Sequence, residues 1–183
     1  MVAFLGIDQS LNATGVCKLS EQGDLVTAAT ITPERFVDGE RLHFIKTAVA
    51  SMLEGVTFAA LEGYSYNSTG RVFELGEIGG VLKVLLTERQ IPYAVVPPVL
   101  VKKFATGTTT ARKDAMLAAA LRMGRNFGDD DNQADAFFLA LIARAHVKDD
   151  LRHRCQMEVL HTLRTPSKAK ARKRVRRLVP NAI

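Results

Sequence analysis

Cysteine is scarce in this 183-residue chain: there are two, Cys17 and Cys155. Two such distant residues make neither a disulfide framework nor a thiolate metal site, and both read as free thiols of a reducing compartment. No apolar run reaches the roughly 18–20 residues needed to cross a bilayer. The N-terminus, MVAFLGID, has neither the basic start nor the small-residue cleavage site of a secretory leader. The expected location is therefore the cytoplasm, with no membrane partner. No G-x-G-x-x-G or Walker-type phosphate loop occurs, so no nucleotide cofactor is expected. The histidines, His43, His146, His153 and His161, have no partners at zinc-ligand spacing. These absences exclude a disulfide scaffold, a membrane span and a zinc module. Acid is missing from one place in particular: residues 159–183 contain none.

What the chain has is an ordinary core composition, 47% apolar, enough for one domain and some extra length. Its charge is uneven. The net is +6, and residues 159–183 alone carry +8 through Arg164, Lys168, Lys170, Arg172, Lys173, Arg174, Arg176 and Arg177, which leaves the remainder at −2. A basic, acid-free tail of this kind suits electrostatic contact with nucleic acid, or else a solubilising end.

Apolar patterning gives the order of elements. VAFLGID, TGVCKLS and LVTAATIT alternate as strands and are separated by turn residues, which predicts an antiparallel meander. GERLHFIKTAVASMLEG has helical spacing and a closing Gly55. VTFAALE is a nearly continuous apolar strand, suited to burial on both faces. A helix is predicted over 71–88 despite its glycines, then a strand at IPYAVV, then a short helix set by Pro97 and Pro98. Two more helices follow, RKDAMLAAALRMG and DNQADAFFLALIARA. Three strands, helix, strand, helix, strand and helices make an α/β fold with a five-stranded mixed sheet flanked by helices, the order of the ribonuclease H-like fold. The catalytic domain is placed at 1–148. Residues 149–183 comprise one more potential helix and the basic tail.

Four acids stand out. Asp8 ends the first apolar strand and Glu62 ends the fourth. Asp131 and Asp135 open the last core helix. A carboxylate at the end of a buried strand is costly unless neutralised. One shared divalent cation, or a pair, would neutralise all four, and hard cations on Asp and Glu oxygens are the usual apparatus of phosphodiester hydrolysis. Asp129 and Asp130 are expected as helix-entry residues at the positive end of the helix dipole.

GIDQSLNATGV, LEGY, VKKF, RKDA and DNQADAFFLA, in that order, resemble the RuvC-like Holliday junction resolvases over about residues 2–145. The compact size and divergent loops are most similar to bacteriophage members. The resemblance implies a metal-dependent, structure-selective DNA endonuclease that cuts four-way junctions and leaves 5′-phosphate and 3′-hydroxyl ends. It implies two Mg2+ ions, about 3.5–4 Å apart and replaceable by Mn2+, on Asp8, Glu62, Asp131 and Asp135, with Asp8 touching both. It also implies a homodimer, since two symmetrical cuts need two equivalent sites. Lys102 and Lys113 are eleven residues apart, as the family's basic pair is, and would hold the phosphate or the developing charge; Lys103 competes for the first place. Tyr64 and Tyr66 follow the second acid, where the family stacks an aromatic ring on DNA bases; packing at the rim is their other use. The chain departs from the family in its last helix, where the final two aspartates usually stand three residues apart. Asn132 holds that place here. Asp131 lies on the same face as Asp135 at a spacing of four and could supply the carboxylate, with Asn132 the weaker amide ligand. With the tail residues Lys168, Lys170, Arg172, Lys173, Arg174, Arg176 and Arg177, the tyrosines and Lys103 make up the expected DNA surface. Other readings are a broader flap or hybrid nuclease, a non-catalytic junction-binding protein, and an actin-like nucleotide-binding fragment, which would need a second phosphate loop that is not found.

Overall fold

The computed structural model describes residues 2–63, 72–151 and 153–165. Tyr64, Tyr66 and the tail residues Lys168, Lys170, Arg172, Lys173, Arg174, Arg176 and Arg177 lie outside them. Strands β1 (Ala3–Asp8), β2 (Thr14–Ser20) and β3 (Leu25–Ile31) form the meander. Helix α1 (Asp38–Ser51) leads to β4 (Val56–Glu62), and α2 (Val72–Glu88) leads to β5 (Tyr93–Val96). Helices α3 (Pro98–Thr106), α4 (Lys113–Arg122), α5 (Asp131–Lys148) and α6 (Arg154–Arg164) follow. The sheet order is β3-β2-β1-β4-β5, with β4 parallel to both β1 and β5. This is the expected five-stranded mixed sheet.

Strand parity sorts the core into two layers, because successive side chains point to opposite faces. Leu5, Ile7, Ala59 and Leu61 pack with Ile45, Val49, Ile78 and Leu82 under α1 and α2. Phe4, Cys17, Ala60 and Val96 pack with Phe104, Met116, Phe137 and Phe138 under the later helices. Asp8 and Glu62 share the parity of Phe4 and Ala60. They therefore turn toward the α5 side of the sheet, at the carboxyl ends of two adjacent parallel strands.

Helix α5 lies unusually close to that face. A Cβ at Gly6 would come 2.0 Å from the Ala136 carbonyl oxygen, and one at Gly15 would come 2.1 Å from that of Asn132. Both are glycine because the helix backbone occupies the space. Along the helix, Ala134, Ala136, Ala140, Ala143 and Ala145 are buried, small enough to keep it there.

One boundary differs from the sequence expectation. Helix α1 ends at Ser51 with Met52 as its cap. Gly55 instead takes the left-handed position, φ 73°, of the turn into β4. Helix α6 forms and docks, burying Val159 and Leu160 in the layer that holds Val101 and Phe104. Arg164 consequently belongs to the packed structure rather than to the tail. It donates to Asp149 Oδ1 at 2.7 Å and to the His146 carbonyl at 2.8 Å, closing the exposed end of α5. Among the described residues, no helix is long and apolar enough to cross a membrane.

Candidate active site

The strand ends and the first two turns of α5 bring the four predicted acids together. Asp8 and Glu62 sit just past Ile7 and Leu61, the last residues of the β1–β4 register. Asp131 and Asp135, one helical turn apart, descend toward them from α5. The helix start is fixed by Asp130, whose Oδ1 accepts from the Gln133 backbone N–H at 3.0 Å. Its Oδ2 accepts from the Thr30 hydroxyl at 2.6 Å and from Gln133 Nε2 at 2.9 Å. Asp130 is thus a helix cap tied to β3, which leaves Asp131 for the cluster. A capping aspartate is readable in sequence; its link to Thr30, a hundred residues away, is not.

The electrostatics are those of crowded, half-dry carboxyls. Asp8 is 9% exposed. Burial holds its carboxyl well above the usual range, and Glu62 and then Asp131 push it further. Glu62 is raised to about 7, by burial first and by Asp135, while a hydrogen bond from Asp8 and the charge of Lys102 pull it back. Asp135 is raised to about 7 by burial, then by Asp8 and Asp131, against Lys102 and Lys113. Among the described residues, its Oδ1 is buried without a hydrogen-bond partner.

Lys113 Nζ pairs with Asp131 Oδ2 at 2.5 Å, although its side chain is 80% exposed against 23% for the aspartate. The hydrogen bond and charge of Asp131 raise the lysine. Lys102, Thr110, Arg112 and Lys113 join Asp131 and Asp135 around an open cavity of about 650 Å³. Both predicted lysines therefore border the acids. Lys103 does not line this cavity; its Nζ pairs with Glu158 at 2.8 Å. Asn132 lies over Gly15, its Cβ 3.1 Å from where a Cβ there would stand. Cys17 is buried, its thiol pushed up to about 12 chiefly by burial, so it is no nucleophile.

The donor set is all oxygen, anionic and partly buried, which suits hard divalent cations. Among the described residues, no three of these side chains close into a ready-made cage. Asp8 and Glu62 are hydrogen-bonded to each other, and Lys113 already meets Asp131. The orphaned Asp135 oxygen and the strongly raised carboxyls fit a site completed by added positive charge.

One residue at the cluster was not foreseen. Gln9 Nε2 donates to the Glu62 carbonyl oxygen at 2.7 Å, bridging the tips of β1 and β4. Its partner is a backbone group, so no pairing of residue types betrays it in the sequence.

Comparison with known proteins places the chain among nucleases. The family model of crossover junction endodeoxyribonuclease RuvC matches residues 4–143. That span holds all four acids and both lysines and leaves α6 outside. A Thermus thermophilus RuvC structure is similar with a TM-score of 0.65 and 20% identity, covering 76% of this chain and 92% of that one. A second, T. thermophilus RuvC in complex with a Holliday junction substrate, gives a TM-score of 0.65 and 20% identity over 77% and 92%.

Proposed function

Since the chain belongs to the crossover junction endodeoxyribonuclease RuvC family, we propose that it resolves four-way DNA junctions by paired phosphodiester hydrolysis at Asp8, Glu62, Asp131 and Asp135. The observation that carries this reading is the convergence of four acids from three separate elements beside two lysines. The proposed cofactor is a pair of Mg2+ ions, with Mn2+ able to replace them. When bound, such cations supply Lewis acidity and an activated water for in-line attack. Asp8 and Glu62 are the ligands fixed to the sheet, and Asp131 and Asp135 are those brought by the helix. Lys102, in the cavity wall, holds a non-bridging phosphate oxygen. Lys113 leaves Asp131 for the phosphate when the acids are otherwise neutralised. An exposed ion pair of this sort is worth only about 0–1 kcal/mol and breaks easily. Tyr64 and Tyr66 are proposed to stack on junction bases, and the basic tail and Lys103 to contact phosphate.

Two symmetrical cuts call for a homodimer. Helix α2 supports one by presenting Phe73, 89% exposed, and Val84, 53% exposed, on its outer side. The non-catalytic alternative took its motive from Asn132. Asp131, in the cluster in its stead, favours the enzyme.

The test uses labelled four-way junction, with and without magnesium, and maps the nicks. Wild-type protein should cut two opposed strands near the crossover, leaving 5′-phosphates, only with metal. Asp8→Asn should bind junction as well as wild type or better and cut at least about 10³-fold more slowly, since it removes a metal ligand and leaves the DNA surface alone. Near-native cutting by Asp8→Asn would sink the assignment.

A further inference from the structure

We infer that Gln9 is a positioning residue that sets the separation of Asp8 and Glu62 by cross-linking the tips of β1 and β4. This rests on reading those acids as metal ligands. The register of the two strands stops at Ile7 and Leu61. Beyond it the chains carry two carboxylates that repel when ionised, and the strand pairing continues no further. On its far side Glu62 is held by β5: it pairs with Val96, and the Gly63 N–H donates to the Val96 carbonyl at 2.7 Å. On the near side its backbone is held by Gln9, at 2.7 Å across 53 residues of sequence.

The amide cannot be turned around. Only its NH2 group can face a carbonyl oxygen, so Oε1 must point elsewhere. Gln9 is 6% exposed, and that Oε1 is buried with no partner among the described residues. An unsatisfied buried acceptor works against folding. An apolar side chain of equal length would remove that penalty but leave the Glu62 carbonyl without its Gln9 donor, so the two changes offset. The bond that Gln9 makes is therefore better explained by what it holds than by the stability it adds. Partners standing behind metal ligands typically change metal affinity by about 10–100-fold.

The experiment compares wild type with Gln9→Met, which keeps the length and deletes the donor. Gln9→Leu serves as a second variant with the same expectations should the first not fold. Thr57→Val is the control. Thr57 Oγ1 donates to the Ala3 carbonyl at 3.2 Å, a side-chain bond across the same two strands at their opposite end. Four quantities are measured: Mn2+ affinity by calorimetry without DNA, the thermal midpoint without metal, junction affinity without metal, and the Mn2+ concentration for half-maximal junction cleavage. Gln9→Met should weaken Mn2+ binding by about tenfold or more and raise the half-maximal concentration in step. Its thermal midpoint should be little changed, and its junction affinity without metal unchanged. Thr57→Val should leave Mn2+ affinity as in wild type. The inference is overturned if Gln9→Met lowers the midpoint while Mn2+ affinity stays native, or if Thr57→Val weakens Mn2+ binding equally. Wild-type protein that binds no Mn2+ would instead overturn the ligand assignment beneath it.

Discussion

Asp131 and Asn132 are neighbours on the first turn of α5, and the fold separates their roles. Asp131 meets Lys113 and adds to the raising of Asp8 and Asp135. Asn132 packs over Gly15. Asp131→Asn should therefore cost at least about 10²-fold in cleavage rate, whereas Asn132→Ala should cost less than about tenfold. Single-turnover rates in magnesium on one junction give the ranking; the reverse order would make the asparagine the ligand. The raised carboxyls make a second prediction. Glu62 and Asp135 each titrate at about 7 in the folded chain, above the ordinary carboxylate range of an unfolded one. Their contribution to stability is present below that ordinary range and is lost as pH rises through about 7. Metal-free protein should thus melt at a lower temperature at pH 8 than at pH 5. Mn2+ should stabilise it much more at pH 8, since at pH 5 the ion must displace protons. Calorimetric scans at both pH values, with and without Mn2+, check this. A metal-free midpoint that is level or rising from pH 5 to 8 would contradict it.

At the scale of elements, the site depends on how closely a helix can approach a sheet. Gly6 has no room for a Cβ, because the atoms in the way are the Ala136 carbonyl oxygen and the Ala140 nitrogen, both backbone. A flexible side chain could yield; a helix backbone cannot without moving Asp131 and Asp135 along with it. Gly6→Ala should destabilise the protein by about 1–3 kcal/mol or more and weaken Mn2+ binding. Gly80→Ala, where an added Cβ meets nothing within 4 Å, should do neither. Urea melts and Mn2+ calorimetry on the pair make the comparison, and a stable, fully metal-competent Gly6→Ala would show that α5 can ride higher. These contacts also mark how far sequence reading went. Asp8 and Glu62 were readable because a charge ending an apolar strand is anomalous in itself. Asp131 was readable because a spacing of four keeps a helix face. Asp129 and Asp130 were readable as helix-entry residues, but not which of them caps α5, nor its hold on Thr30. Gly6 read as part of a strand, and nothing local announces that a helix from residue 131 onward will cover it. Gln9 was missed for the same reason: its partner is a carbonyl that only the β1–β4 pairing brings near. Residues 51–55 went astray because a helix-closing glycine and a turn glycine look alike until the chain direction is known.

At the scale of the whole molecule, charge is segregated between an acid cluster in the fold and a strongly basic end of the sequence. Seven cations, Lys168, Lys170, Arg172, Lys173, Arg174, Arg176 and Arg177, follow the last described helix, and no acid accompanies them. Arg164 is not one of this group, since it holds the end of α5. The informative truncation therefore ends the chain at Thr165, which keeps α6 and its contacts to α3. Each cation placed on a phosphate releases condensed counterion and steepens the fall of log affinity with log salt by about 0.9. Seven such contacts would flatten the slope by about 6 when removed, and two or three by about 2. The truncated protein should bind both linear duplex and four-way junction more weakly at low salt, with a shallower slope on each. Its preference for junction over duplex should survive, because phosphate contacts position a protein without discriminating among structures. Cleavage at saturating DNA should also survive, since all four acids, Lys102, Lys113 and Gln9 lie before residue 136. Salt titrations of both proteins on both substrates, with single-turnover cleavage at saturation, measure every part of this. An unchanged slope would remove the tail from the DNA surface, and a lost junction preference would move structure recognition from the folded domain into the tail.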